Sequence, residues 1–290
     1  MADFSQRRDL FRLGGVGLAL ATAGAALNPR VAAAEAAPTS LLRTVLDRGH
    51  LIMGTGSTNP PWHFEDEQGK LTGMDIAMGR ILAKGLFDDD SKIEFVQQDP
   101  AARIPNIVTN KVDVVIQFMT VTPQRAQLVA FSRPYYIEGV GLLVSPNGKY
   151  KTYQALLAAG KSVKASILQN VYAEDLVHQG LPESEVMQLD TTANSMQAVI
   201  AGRADVVVVD ASTAKWLAKK NPNSYVDVGF YWGPQLYSAA MRIGDPDWLH
   251  WVDTCFDVAM HGSDFPVYST AFAEFFGEKP PEQKIGFPTI

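Results

Sequence analysis

The stretch Val112-Asp-Val-Val-Ile-Gln-Phe-Met-Thr-Val-Thr-Pro-Gln-Arg-Ala-Gln-Leu-Val-Ala-Phe-Ser-Arg-Pro-Tyr-Tyr136 decides how this chain is read. An apolar run from Val112 to Phe118 predicts a buried strand. It ends in two hydroxyls, Thr120 and Thr122. Pro123 stands where a helix would begin, with Arg125 in its first turn. In an open α/β sheet, ligands bind beyond the carboxyl ends of the strands. Two hydroxyls, helix N-terminal amides and a guanidinium meet there, a set suited to a carboxylate. Arginine so early in a helix opposes the helix dipole, a placement better explained by a nearby anion.

The flanking sequence alternates in the same way. A strand at Leu51 to Met53 leads into a loop rich in Gly, Ser, Thr and Pro that runs to Trp62. Asp75 reads as the N-cap of a helix carrying Met78, Ile81, Leu82 and Leu86 at helical spacing. A strand from Ile93 to Val96 and a helix from Arg103 follow. A second alternating set begins after Val144 and includes the four-valine strand Val206 to Val209. Such alternation marks a mostly parallel sheet covered on both faces. Asp210, which ends the valine strand, reads equally as the cap of the next helix or as a ligand group.

The first 34 residues read as an export leader. Arg7-Arg8 followed by Asp9-Leu10-Phe11-Arg12 is close to a twin-arginine signal, with an ordinary Sec signal carrying two adjacent arginines as the rival reading. The uncharged run from Leu13 to Leu27 falls short of the ~18 residues of a membrane span. Ala32-Ala33-Ala34 supplies a small-residue cleavage site. The leader holds four arginines and two aspartates, so its removal takes the net charge from −6 to −8. That balance speaks against nucleic acid and against a polybasic membrane anchor. No later run is long enough to span a bilayer, so a soluble mature chain is expected. What remains suits two lobes of about 100–150 residues each. Cys255, the lone cysteine, sits among Trp251, Val252, Phe256 and Ala259 and reads as core.

Several chemistries find no support. Gly54-Thr55-Gly56 lacks the third glycine of a dinucleotide loop, since Asn59 holds its place. No Gly-Lys-Ser/Thr phosphate loop and no Gly-x-Ser-x-Gly elbow occurs. The five histidines are scattered without metal-ligand spacing. Neither a metal nor a cofactor is expected.

Thr122-Pro-Gln-Arg125 followed by Phe131-Ser-Arg-Pro-Tyr-Tyr136 resembles the Thr-x-x-Arg…Phe-Ser-x-Pro-Tyr pattern of family 3 periplasmic solute-binding proteins, the amino-acid receptors of ABC importers. The resemblance covers nearly the whole mature chain. It implies a two-lobed α/β periplasmic binding protein fold of type II, each lobe a mixed, mostly parallel sheet flanked by helices. The expected first lobe comprises residues 41–144 and 237–290, the second residues 145–236, with hinges near Val144 and near Gln235 to Tyr237.

The resemblance also implies site roles. Arg125, Thr120 and Thr122 would bind an α-carboxylate. Gly202-Arg203-Ala204-Asp205…Asp210 matches the segment whose last aspartate binds the α-ammonium. Pro60-Pro61-Trp62 matches a segment whose aromatic stacks on the ligand side chain, with core packing of Trp62 as the rival reading. Gln117 and Phe118 stand where small or hydroxyl residues are usual, and are expected to shape the side-chain pocket; Phe118 reads equally as pointing into the sheet. Leu168-Gln169-Asn170 replaces a Gly-Ser/Thr-Thr loop, so Gln169 or Asn170 would take over its contact with the carboxylate. Gly73-Met74-Asp75-Ile76-Ala77 keeps one aspartate of a pair and loses the other.

The expectation is therefore an exported, monomeric amino-acid receptor without catalysis that delivers its ligand to a permease in the inner membrane. The alternatives are a cyclohexadienyl dehydratase-type enzyme on the same scaffold and a receptor for a non-amino-acid carboxylate. Dehydration needs a carboxyl proton donor, for which Glu174 is the nearest candidate beyond Val171. Trp62 and Phe118 suit an apolar or aromatic ligand side chain by burial, or a cationic one by cation–π contact.

Overall fold

The computed structural model describes residues 40–286 of the chain. The leader read at residues 1–34 lies outside the described residues.

Two sheets carry the architecture. In the first, the strand Leu51–Thr55 lies between Ile93–Gln97 and Val114–Val115, parallel to both. The late strand Ala240–Met241 then adds antiparallel to Val114–Val115 and to Ala130–Phe131. The chain thus returns to the first sheet near its end. In the second sheet, Glu185–Leu189, Lys164–Leu168 and Val206–Asp210 are parallel neighbours. Tyr136–Val144 pairs antiparallel with Val206–Asp210 on one side, and with Val226–Asp227 and Trp232–Tyr237 on the other. The four valines 206–209 occupy the middle of this sheet, all buried, which suits β-branched side chains packed on both faces.

The crossings between sheets differ from the sequence reading at one end. Tyr136–Val144 belongs wholly to the second sheet, and Val140, Leu142 and Val144 pack in the core of that lobe. The first crossing therefore falls at residues 132–135, not near Val144. The second falls just after Tyr237. The two run side by side, with Ser132 N donating to Ala239 O and Tyr135 N to Tyr237 O, both at 2.9 Å.

Helices cover the sheets through periodic apolar faces. Met74–Phe87 buries Met74, Met78, Ile81 and Leu82. Pro246–His261 buries Trp248, Val252, Phe256 and Ala259, the i, i+4, i+8, i+11 stripe of an amphipathic helix. Cys255, in that helix, packs against the same core, and burial pushes its thiol up to about 12. Asp245 caps the helix through Trp248 N at 3.0 Å and also accepts from Leu41 N. Among the described residues, no helix is long and apolar enough to cross a membrane.

One local correction bears on the site. Asp75 is not the N-cap of its helix; Gly73 is, without a side-chain cap. Gly73 has φ +123°, and a Cβ there would lie 2.3 Å from Trp62 O. Only glycine lets the helix start seat against that backbone, where Asp75 N donates to Trp62 O at 2.8 Å. The Asp75 carboxylate consequently points inward.

Candidate functional site

The carboxyl ends of Val114–Val115, Lys164–Leu168 and Val206–Asp210 face one cleft. A cavity of about 360 Å³ occupies it, lined by Phe118, Thr120, Thr122 and Arg125 from the first lobe and by Gln169, Asn170 and Asp210 from the second. Its size fits a small-molecule site. An adjoining space of about 440 Å³ shares Arg125, Gln169 and Asn170. A third, of about 240 Å³, lies on the other side of Phe118 and is lined by Asn59, His63, Gln98 and Gln117.

Arg125 sits in a single helical turn, Pro123–Ala126, capped by Thr122, whose Oγ1 accepts from Arg125 N at 3.2 Å. Its Nη1 donates to Thr120 O at 2.8 Å, and Thr120 Oγ1 donates to Gln235 Oε1 at 2.8 Å. The residues of the opening stretch therefore hold one guanidinium at the cleft wall. Among the described residues it makes no ion pair, although burial disfavours its charge.

Asp210 stands on the second lobe. It occupies the N-cap position of Ala211–Lys220, yet its side chain makes no capping hydrogen bond. The carboxyl faces Tyr237 and Asn59 instead. Burial first, and then the nearby Glu138, push it up to about 8. Glu138 is itself raised by burial, held against that trend by Ser212 and by Gly139 N at 2.8 Å. Tyr237 is buried and its phenol driven far up by burial and by Asp210, so it stays a neutral donor. A carboxyl group raised by burial and a guanidinium without an ion pair among the described residues thus line one cavity, the kind of perturbed pair that marks a candidate site.

Trp62 goes elsewhere. It is fully buried among Tyr136, Tyr237 and Phe276, with ring centroids 4.8–5.2 Å away, and it lines none of these three cavities. The expected stacking role is thus replaced by core packing, the rival reading. Its Nε1 donates to Ser212 Oγ at 2.9 Å, and Ser212 Oγ donates to a Glu138 oxygen. Trp62→Phe should lower stability by about 1–2 kcal/mol, the worth of that bond plus the lost ring, measured by chemical denaturation. Ligand preference should stay the same; a changed preference would return Trp62 to the pocket.

Gln117 does not line the cavity that holds Arg125 and Asp210. It is buried, accepting from Gln98 Nε2 at 3.0 Å and donating to Gln98 O at 3.1 Å, on the wall of the cavity of about 240 Å³. Phe118 does reach the cleft. Its backbone is left-handed, φ +37°, a costly conformation for a bulky residue. Three contacts hold it: Phe118 N donates to Asp75 Oδ2 at 2.9 Å, His63 stacks on the ring at 4.8 Å, and the Arg103 guanidinium lies 5.2 Å from it. Asp75, fully buried, also pairs with His63 Nδ1 at 2.8 Å and accepts from Tyr135 Oη at 2.9 Å. The strained ring stands between the cavity of about 240 Å³ and that of about 360 Å³.

In the second-lobe loop, Gln169 N is taken by Leu189 O at 2.7 Å. Asn170 closes its own loop, accepting from Tyr172 N at 2.9 Å and donating to Leu168 O at 3.2 Å. Both line the cleft, and among the described residues the Gln169 carboxamide makes no hydrogen bond to the protein. Glu174, the nearest proton-donor candidate, is exposed on Ala173–Gly180 and lines none of the three cavities.

Comparison with known proteins places these features in a wider group. Residues 51–265 match the model of the bacterial extracellular solute-binding proteins, family 3. The L-cystine-binding protein TcyJ of Escherichia coli is 30% identical over 211 residues, covering 72% of this chain and 77% of the relative. The glutamine-binding protein of Geobacillus stearothermophilus is 29% identical over 194 residues, covering 64% and 71%. Among solved structures, an ancestral amino acid-binding protein described as a precursor of cyclohexadienyl dehydratase superposes with a TM-score of 0.71. It is 31% identical, over 82% of this chain and 100% of its own.

Proposed function

The chain belongs to the bacterial extracellular solute-binding proteins of family 3, and we propose that it is a periplasmic receptor that binds an amino acid between its lobes and delivers it to an ABC importer. The observation that carries this reading is a single cavity with Arg125 on one lobe and Asp210 on the other. Arg125, and Asp210 once it gives up its proton, would read both ends of a zwitterion, each contact charge-assisted in a site that loses water on closure. Thr120 and Thr122 fix the guanidinium, and Gln169 or Asn170 adds a carboxamide from the far side. The curated relatives named for cystine and glutamine support an amino acid as ligand.

The lobes would close about the paired crossings at residues 132–135 and beyond Tyr237, as the handful of hydrogen bonds there permits. Hinge closure of this kind around a ligand is a known mode in periplasmic binding proteins. The closed monomer would then dock on a permease in the inner membrane. Export would use the leader, by the twin-arginine route. No catalysis is assigned: the exposed Glu174 lies outside the cavities, and Glu138 is consumed by Ser212 and Gly139.

A thermal-shift screen across amino acids and small carboxylates tests this reading, because a ligand that binds only the folded state raises its melting temperature. At least one α-amino acid should shift the melt. Silence from every α-amino acid, with turnover of prephenate, would replace the receptor by the enzyme.

A further inference from the structure

Holding an α-carboxylate and an α-ammonium with Arg125 and Asp210 leaves a buried cation of the cleft unused. Arg103 begins the helix Arg103–Val108 and is more than nine-tenths buried. It lines both the cavity of about 360 Å³ and the adjoining one. Its Nε donates to Pro100 O at 2.9 Å and its Nη1 to Gln117 O at 3.0 Å, and it lies over the Phe118 ring. These contacts aim the guanidinium without neutralising it. Among the described residues, no carboxylate comes within ion-pair distance.

The neighbouring acids do not supply a partner. Asp75 is engaged by His63, Tyr135 and Phe118 N. Asp210 faces Tyr237 and Asn59; Asp175, which lines the same cavity, and Asp99 and Asp190, which line the adjoining one, are exposed. Burial first, and then the positive charge of Arg125, push Arg103 down to about 9. Two like charges side by side, one deeply buried and both unpaired, are unfavourable unless anions enter between them. The two guanidiniums are anchored on different carbonyls, Gln117 O and Thr120 O, to either side of Phe118 and Met119. Arg125 thus serves one end of a ligand and Arg103 the compartment beside Phe118.

We propose, resting on the amino-acid receptor reading, that Arg103 receives a second anion on the ligand side chain, so that the preferred class is a dicarboxylic α-amino acid. Phe118 then packs along the methylenes between the two carboxylates. The Gln98–Gln117 pair, whose bonds to each other are already made, keeps the carbonyl of Gln117 in place for Arg103.

Calorimetry on the mature protein with L-glutamate, L-aspartate, L-glutamine, L-asparagine and glutarate tests this. One of the two acids should bind at least ~10-fold tighter than its amide. In Arg103→Gln that preference should vanish, with amide affinity held within about threefold, and Arg103→Lys should restore part of it. If the Gln variant does not fold, the acid-to-amide ratio of the unaltered protein decides alone. An amide that binds as tightly as its acid overturns the inference and leaves the receptor standing. So does an equal loss for acid and amide in Arg103→Gln, which would mean that both arginines hold one carboxylate. Binding of glutarate without any amino acid has the reverse meaning: it supports the second anion and removes the ammonium from Asp210.

Discussion

Arg125→Ala is expected to weaken binding of the best amino-acid ligand by about 2–5 kcal/mol, roughly thirty- to four-thousand-fold. The loss is large because a carboxylate drawn into the closed cleft would face no cation within bonding distance at that end. It should not come from unfolding. The Thr122 cap uses the backbone N of residue 125, which alanine keeps, and among the described residues the side chain makes one hydrogen bond, Nη1 to Thr120 O. The melting temperature of the empty variant should therefore stay close to that of the parent. Arg125→Lys keeps the charge but loses the planar fork, and an intermediate affinity is expected. Calorimetry at neutral pH is the measurement. An alanine variant that binds as the parent does would remove Arg125 from the site and with it the reading of the opening stretch.

That stretch was legible because each of its features has a short-range cause. Pro123 permits a helix start, Thr122 caps it, and Arg125 follows one turn on. Asp210 was legible only as two equal alternatives, and the cap bond that would have made it structural does not form. Trp62 was misplaced because Pro60-Pro61 says where a turn is and nothing about which side of it faces the core. The crossing read near Val144 failed for a related reason: strand pairing is non-local, and Tyr136–Val144 meets its partner about seventy residues later.

Two of the missed residues did leave a signal, a polar group at an apolar phase. Arg103 shares a helix face with Ile107, four residues on, and both are buried. Glu138 alternates with Val140, Leu142 and Val144 on the inward face of its strand, and is buried with them. A charge on an inward face is costly unless something requires it. These exceptions to the apolar period mark Arg103 for the cleft wall and Glu138 for the buried network beside Asp210. The left-handed Phe118 left no such trace, since its φ is imposed by Asp75 and His63 from outside the segment.

Asp210→Asn should abolish the pH dependence of binding as well as most of the affinity at slightly alkaline pH. In the empty protein, burial and Glu138 hold the Asp210 carboxyl at about 8, so near neutrality it carries a proton that an arriving ammonium must expel. The two carboxyl groups titrate as a pair, and it is the pair that gives up one proton. Each pH unit below about 8 then costs the unaltered protein about 1.4 kcal/mol of binding, a tenfold loss per unit. Affinity should rise steeply from pH 6 to pH 8 and level off above. Calorimetry at pH 6.5 in two buffers of different ionisation enthalpy should report close to one proton released per ligand. In Asp210→Asn both the slope and the release should disappear, with binding at pH 8 weaker by about 2–5 kcal/mol. Stability moves the other way. A carboxyl raised in the folded state binds a proton that the unfolded chain has lost, so its favourable contribution is full below 3.8 and fades as pH climbs through about 8. The empty Asn variant should therefore gain on the parent as pH rises from 4 to 8. A parent protein whose affinity is flat from pH 6 to pH 8, with no proton exchanged, would place the ammonium somewhere other than Asp210.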